Sequence, residues 1–324
     1  MKFLKWMLII VAVFVLLAAG GLAFYDAGDW TPLFRAYKGK LISAPVTNMV
    51  SENEIAMYDV ELGSDTGRNV MCRASVPESS SGKRGSWPAV ILVAGMETGR
   101  KVVDTLPPQK NMMVMALDYP QSVKLDFSNN VTTARSVWAA REAAMHMVSS
   151  VLLAGDFVAA QPMVNKERVV LAGIGEGAFI CAAAAAADDQ NQFSHVVLIQ
   201  AGANIGRLIE MNARRLKLPG SAATAGRIGE WLFKPIEPVR YIERIAPRPL
   251  TMLNGKADDW MPAEAAQKLF DRAREPKKLI WLKGQHATPD DKKLVADLAN
   301  RILVELPQAG PTTAIGIATD MMGR

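Results

Sequence analysis

The stretch LAGIGEGAFI, residues 171–180, reads as a strand end, a glycine-crowded turn and the first turn of a small-residue helix. A strand-to-helix turn this tight can lift one side chain clear of a sheet as a nucleophile. It needs glycines two residues before and two after the apex, where side chains would clash. Gly173 and Gly177 satisfy that spacing, but the apex is Gly175, which has no atom to attack with. Three other turns carry groups that would work with such an apex. NGKADDWMP (254–262) sets Asp258, with Asp259 as the fallback, after an apolar run, where a carboxylate can receive a histidine N–H. Capping of the following helix is the alternative use for one of that pair. KGQHATP (283–289) places His286 after Gly284 and before a helix. AGMETG (94–99) offers backbone N–H groups which, with the N–H after the apex, would form an oxyanion hole that needs no side chain at residue 175.

These turns need a frame that brings them to one edge. IAMYDVELG (55–63) and RNVMCRASVP (68–77) read as two strands of a hairpin. AVILVA (89–94), NMMVMAL (111–117), RVVLAG (168–173), HVVLIQ (195–200), PLTMLN (249–254) and KLIWLK (278–283) are short apolar runs, as expected of strands buried on both faces. Helical segments near 131–160, 176–187, 262–274 and 290–305 separate them. This alternation predicts an α/β architecture with a mostly parallel, doubly wound sheet and the hairpin as its antiparallel edge. Ligands bind such sheets beyond the carboxyl ends of the strands, where all four turns fall. Residues 203–245 break the rhythm and are expected to be a lid-like insertion. Residues 26–54 read as a linker, 55–305 as the folded domain and 306–324 as a loosely held tail.

In the order elbow, acid, histidine, the chain resembles the α/β-hydrolase superfamily from about residue 55 to 305. It looks most like the branch of dienelactone hydrolases, acyl-CoA thioesterases and prolyl-oligopeptidase-like esterases. RVVLAGIGEGAF, EPVRYIERIAPRPLTMLNGKADDWMP and LKGQHATP carry the resemblance. It implies that Asp258 and His286 match the acid and base, Met96 and Glu176 the oxyanion-hole positions, and Gly175 the nucleophile position. A dinucleotide-binding turn is the rival reading of G-x-G-x-G. It expects G-x-G-x-x-G early in the chain and an acidic residue after the next strand; that strand ends in Gln200-Ala201-Gly202.

Without a nucleophile, hydrolysis needs a substitute. The Glu176 side chain is expected to point away from the site, and Cys181 lies too far into the helix. Water in the space at Gly175, activated by His286 and Asp258, is the chemically reasonable route. Two functions follow as expectations: non-catalytic binding of an acyl or ester ligand or of an envelope protein partner, and an atypical esterase or acyl hydrolase.

Composition narrows the setting. A net charge of +5 without basic blocks or stripes argues against nucleic acid. Three histidines and two cysteines show no metal-ligand spacing, so neither a metal nor another cofactor is expected, and Cys72 and Cys181 read as core. Residues 1–25 hold Lys2 and Lys5, then a long uncharged run ending before Asp26. About 20 apolar residues suffice to span a bilayer, and the flanking charges put the body outside the cytoplasm. A membrane anchor is expected, with a cleaved signal peptide, cut near Ala18–Gly20, as the alternative.

Overall fold

A computed structural model describes residues 25–26, 28–78, 87–120, 123–283 and 286. The expected anchor or signal peptide (1–25) apart from Tyr25, most of the polar loop after residue 77, the helix expected at 290–305 and the expected tail lie outside them.

Among the described residues ten strands form a single sheet: β1 Leu41–Ser43, β2 Val46–Glu52, β3 Ile55–Ser64, β4 Asn69–Pro77, β5 Trp87–Val93, β6 Met113–Leu117, β7 Val164–Ile174, β8 His195–Ile199, β9 Leu250–Gly255 and β10 Lys277–Leu282. The order runs β1-β3-β4-β6-β5-β7-β8-β9-β10, with β2 also paired to β3. Strands β6 through β10 are parallel, while β1, β2, β4 and β6 meet their neighbours on the β3 side antiparallel. The expected hairpin is β3–β4, in register from Ile55 opposite Pro77 to Gly63 opposite Asn69.

That hairpin is not the edge, and 26–54 is not a linker. Helix α1 (Thr31–Lys38) and strands β1 and β2 extend the domain beyond it. The signal was muted because the helix is short and β2 is exposed along its whole length. What docks α1 is specific. Phe34 is fully buried, its carbonyl accepts the Ser149 hydroxyl at 2.9 Å, and Lys38 Nζ lies 2.8 Å from both Asp156 carboxylate oxygens. Burying one phenylalanine side chain stabilises by about 1.5–3 kcal/mol.

Helices α2 (Asn130–Ala159), α3 (Glu176–Ala187), α4 (Ile205–Arg215), α5 (Ala222–Phe233) and α6 (Ala263–Arg272) follow, with four short 3-10 turns among the described residues. Side chains alternate between the two sheet faces, as a strand's period of two requires. Ile91 and Val93 enter the larger core with α1, α2 and α3; Val90 and Leu92 enter the smaller one with Val102 and Val103. Asn129 starts α2 with a capping box, its side-chain oxygen accepting the Val131 and Thr132 N–H groups at 3.0 Å. Among the described residues α2 is the one helix long and apolar enough to cross a membrane, and it is mostly buried in the core. The alanine run of α3 lets that helix lie close against β7 and β8; Cys181, on it, is fully buried, as is Cys72 on β4.

Candidate functional site

The turn between β7 and α3 consists of one residue, Gly175, at φ 59° and ψ −121°. Side chains adopt this region at a cost of about 1–3 kcal/mol, which glycine avoids. Hydrogen bonds pin the turn: the Gly175 N–H donates to Ile199 O at 3.0 Å, and its carbonyl accepts from Ala178 at 3.0 Å. The flanking glycines are demanded by contact. A Cβ on Gly173 would sit 2.5 Å from Gly177 O, and one on Gly177 would sit 2.1 Å from Val93 O. A Cβ on Gly175 would meet nothing within 4 Å. The backbone is shaped to present a side chain into open space, and no side chain is there.

Asp258 follows β9 and its carboxylate is fully buried. Its Oδ2 lies 2.8 Å from His286 Nδ1, and its Oδ1 accepts the Trp260 and Met261 N–H groups at 2.9 and 2.8 Å. One oxygen therefore shapes the loop while the other orients the imidazole. With Nδ1–H donating to the carboxylate, His286 Nε2 is the atom left to take a proton. Asp259, the fallback, is exposed and lies 3.9 Å from Arg215. Neither aspartate caps α6, whose N-terminus has Pro262 and no side-chain cap.

Residues 203–245, between β8 and β9, reach this loop. Asn212 on α4 donates to Trp260 O at 3.3 Å, and the Arg215 guanidinium stacks 4.6 Å from the Trp260 ring centroid. The Trp260 ring in turn lies 6.0 Å from that of His286.

The Glu176 side chain departs from expectation. It does not point away from the site but lies across the turn after β5, close enough that a Cβ on Gly95 would stand 2.5 Å from its Oε2. Gly95 is what leaves room for it. The residue stays accessible to solvent, yet protein surrounds the carboxyl group. That burial raises its pKa, against the opposing pull of His286 and the Met96 N–H, with Glu97 adding to the rise and Glu176's own N–H opposing it. Met96 and Glu176 supply the two N–H groups expected to form the oxyanion hole. Both lie close enough to the Glu176 carboxyl group to lower its pKa against burial.

Tyr119 was not singled out from sequence. It is buried at the end of β6, its hydroxyl donates to Ala94 O at 3.4 Å, and burial first, then nearby Glu176, pushes its pKa well up. A tyrosine two residues past an apolar run carries no signal of its own. The other histidines are elsewhere: His146 Nδ1 accepts from Arg68 Nε on the α2 face. His195, at the opposite end of the parallel strands, shares a hydrogen bond with Thr251 and is held at a pKa of about 4 by burial. Among the described residues no three His, Cys, Asp or Glu side chains cluster to hold a metal.

No family profile matches the chain. An uncharacterized protein of Escherichia coli O157:H7, YfhR, is 30% identical over 124 residues, which are 38% of this chain and 39% of that protein; the match thus spans about two fifths of its length. Solved structures agree over far more of the chain. The acetyl xylan esterase from Paenibacillus sp. R4 superposes with a TM-score of 0.63 at 15% identity, covering 87% of this chain and 95% of its own. Acetyl xylan esterase 1 from Thermoanaerobacterium sp. JW/SL YS485 gives 0.58 at 16%, with 86% and 94% covered. Est1E from Butyrivibrio proteoclasticus gives 0.53 at 15%, with 77% and 98% covered. The chain has the α/β-hydrolase fold, its mostly parallel sheet extended by antiparallel strands.

Proposed function

We propose that this is an exported, membrane-anchored protein of α/β-hydrolase fold whose esterase-like site binds a ligand or partner without turning it over. The observation that carries the proposal is the pairing of Gly175 with the Glu176 carboxylate. The nucleophile position has no side chain, and the donors that would stabilise a tetrahedral oxyanion face a carboxylate instead. An oxyanion hole works by aiming unoccupied donors at charge that develops in the transition state. Here the Glu176 carboxyl group already lies beside the turn that would supply those donors. An acyl or ester ligand must displace Glu176 or meet it protonated, whereas a hydrogen-bond-donating or cationic group pairs with it directly. Loss of a triad serine alone lowers turnover on the order of a million-fold.

One observation favours a second reading, an atypical ester hydrolase. His286 and Asp258 remain 2.8 Å apart, and the space at Gly175 is open. A water there could lose its proton to His286 Nε2 as it attacks a carbonyl carbon, by general-base catalysis. The two readings separate in one experiment. Under the binding reading, native protein is unlabelled by a fluorophosphonate probe and hydrolyses p-nitrophenyl esters no faster than His286→Ala. Native hydrolysis that disappears in His286→Ala establishes the water route, and labelling overturns both.

A further inference from the structure

Tyr25 and Asp26, which follow the N-terminal apolar segment in sequence, are fixed to the folded body. Tyr25, the first described residue after that segment, is clamped to the end of α5. Its hydroxyl donates to Trp231 O at 2.6 Å, its ring stacks on Trp231 at 5.4 Å, and it meets Trp30 edge-on at 5.1 Å. The next residues are fixed as well. Asp26 pairs with Lys234, Arg240 donates to the carbonyls of Asp26 and Gly28 at 2.9 and 2.7 Å, and Arg244 pairs with Asp29 at 2.9 Å. A body tied this closely to an anchor cannot stand off from the bilayer on a tether.

Around that junction large apolar side chains face outward. Ile228 and Trp231 on α5 are 51% and 47% exposed, and Val131 and Trp138 on α2 are 60% and 51% exposed. Val131 and Trp138 are seven residues apart on one helix, so they share a face. Arg141 joins the two helices, donating to Leu232 O at 3.1 Å while its guanidinium lies 5.0 Å from the Trp138 ring centroid. Leu125 and Phe127, just before α2, are exposed too. Single apolar residues on a surface need no explanation, but a cluster does. Tryptophan and tyrosine concentrate at membrane interfaces, where a ring can lie in the acyl boundary and its polar atom in the headgroups. Arg135 and Arg227, both exposed, sit among these residues and complement anionic headgroups.

We infer that the face formed by Val131, Trp138, Ile228 and Trp231 around Tyr25 rests on the lipid surface at the anchor's exit, holding the body against the bilayer. This rests on the anchoring proposed above. It also sets α5 against the membrane while α4, packed on α5, braces Trp260 beside His286.

The test uses full-length protein in vesicles of phosphatidylcholine and phosphatidylglycerol, with a nitroxide on Val131→Cys or Ile228→Cys. The native cysteines are fully buried, so the label goes to the new one. Lys268→Cys, exposed on α6, is the comparison. The inference expects 131 and 228 to collide with dissolved oxygen severalfold more, relative to a water-soluble nickel chelate, than 268 does. If the protein floats with the vesicles but all three sites are equally water-accessible, the inference is overturned while anchoring stands. Protein that stays in the aqueous fraction overturns the anchoring and the inference with it. Labels at 131 and 228 that collide little with either oxygen or the nickel chelate show that protein rather than lipid covers the face and also overturn it.

Discussion

Placing a serine at Gly175 should not, by itself, restore an esterase. The turn has the backbone shape and the space for the side chain: φ is 59°, and a Cβ meets nothing within 4 Å. The penalty is backbone strain of about 1–3 kcal/mol. For a domain of this size that lowers the melting temperature by about 2–12 °C. Such a serine would have the Asp258–His286 pair, 2.8 Å apart, to take its proton. What it would lack is the hole, because the Met96 and Glu176 N–H groups face the Glu176 carboxylate. A missing oxyanion donor costs about 10²–10³ in kcat, or roughly 2.7–4 kcal/mol. Removing the carboxylate while keeping the N–H of residue 176 should return that factor. Hydrolysis of p-nitrophenyl acetate by Gly175→Ser/Glu176→Ala should therefore exceed that of Gly175→Ser by about 10²-fold or more, and the double variant should be labelled much faster by a fluorophosphonate. Equal rates in the two variants would mean that Glu176 does not obstruct the donors. If both stay inactive although folded, the dyad does not reach residue 175.

Other changes test the remaining links. Because burial raises the Glu176 pKa above its ordinary 4.5, the native state holds that proton more tightly than the unfolded chain does. The stability this confers is complete below the unfolded value and is lost as pH rises through the folded one. Glu176→Gln should thus match native near about pH 4 and melt higher than native near about pH 8; calorimetry showing the reverse order would contradict the assignment. Asp258→Ala removes the acceptor of two loop N–H groups and of His286. It should destabilise by roughly 2–4 kcal/mol in urea unfolding, and a neutral result would mean the loop holds itself. Phe34→Ala should cost about 3–5 kcal/mol in the same assay without changing its cooperativity; a loss confined to a separate early transition would show that residues 26–54 are not part of the domain core.

The chemistry that failed to appear was legible in one residue, Gly175. A glycine at the apex is absent chemistry in any fold, and the paired glycines around it mark the turn because backbone atoms approach within contact distance there. Asp258 could be preferred to Asp259, but only burial separated them: one carboxylate is enclosed against His286 and the other faces solvent. Residues 31–52 were misread because α1 is recognisable mainly by what it touches, and Phe34 in isolation does not announce the pocket that receives it.

The apolar runs determined the strands and, for β5, β6, β8 and β9, their burial on both faces, because a strand covered on both sides has no polar face to show; β10, also expected buried, is only half-buried among the described residues. The spacing of glycines determined the sharp turn for the same local reason. Where Glu176 aims its carboxylate was decided by tertiary structure alone. A side chain with several rotatable bonds takes its direction from neighbours brought together by folding, here Gly95 leaving room and Met96 offering an N–H from eighty residues earlier in the chain.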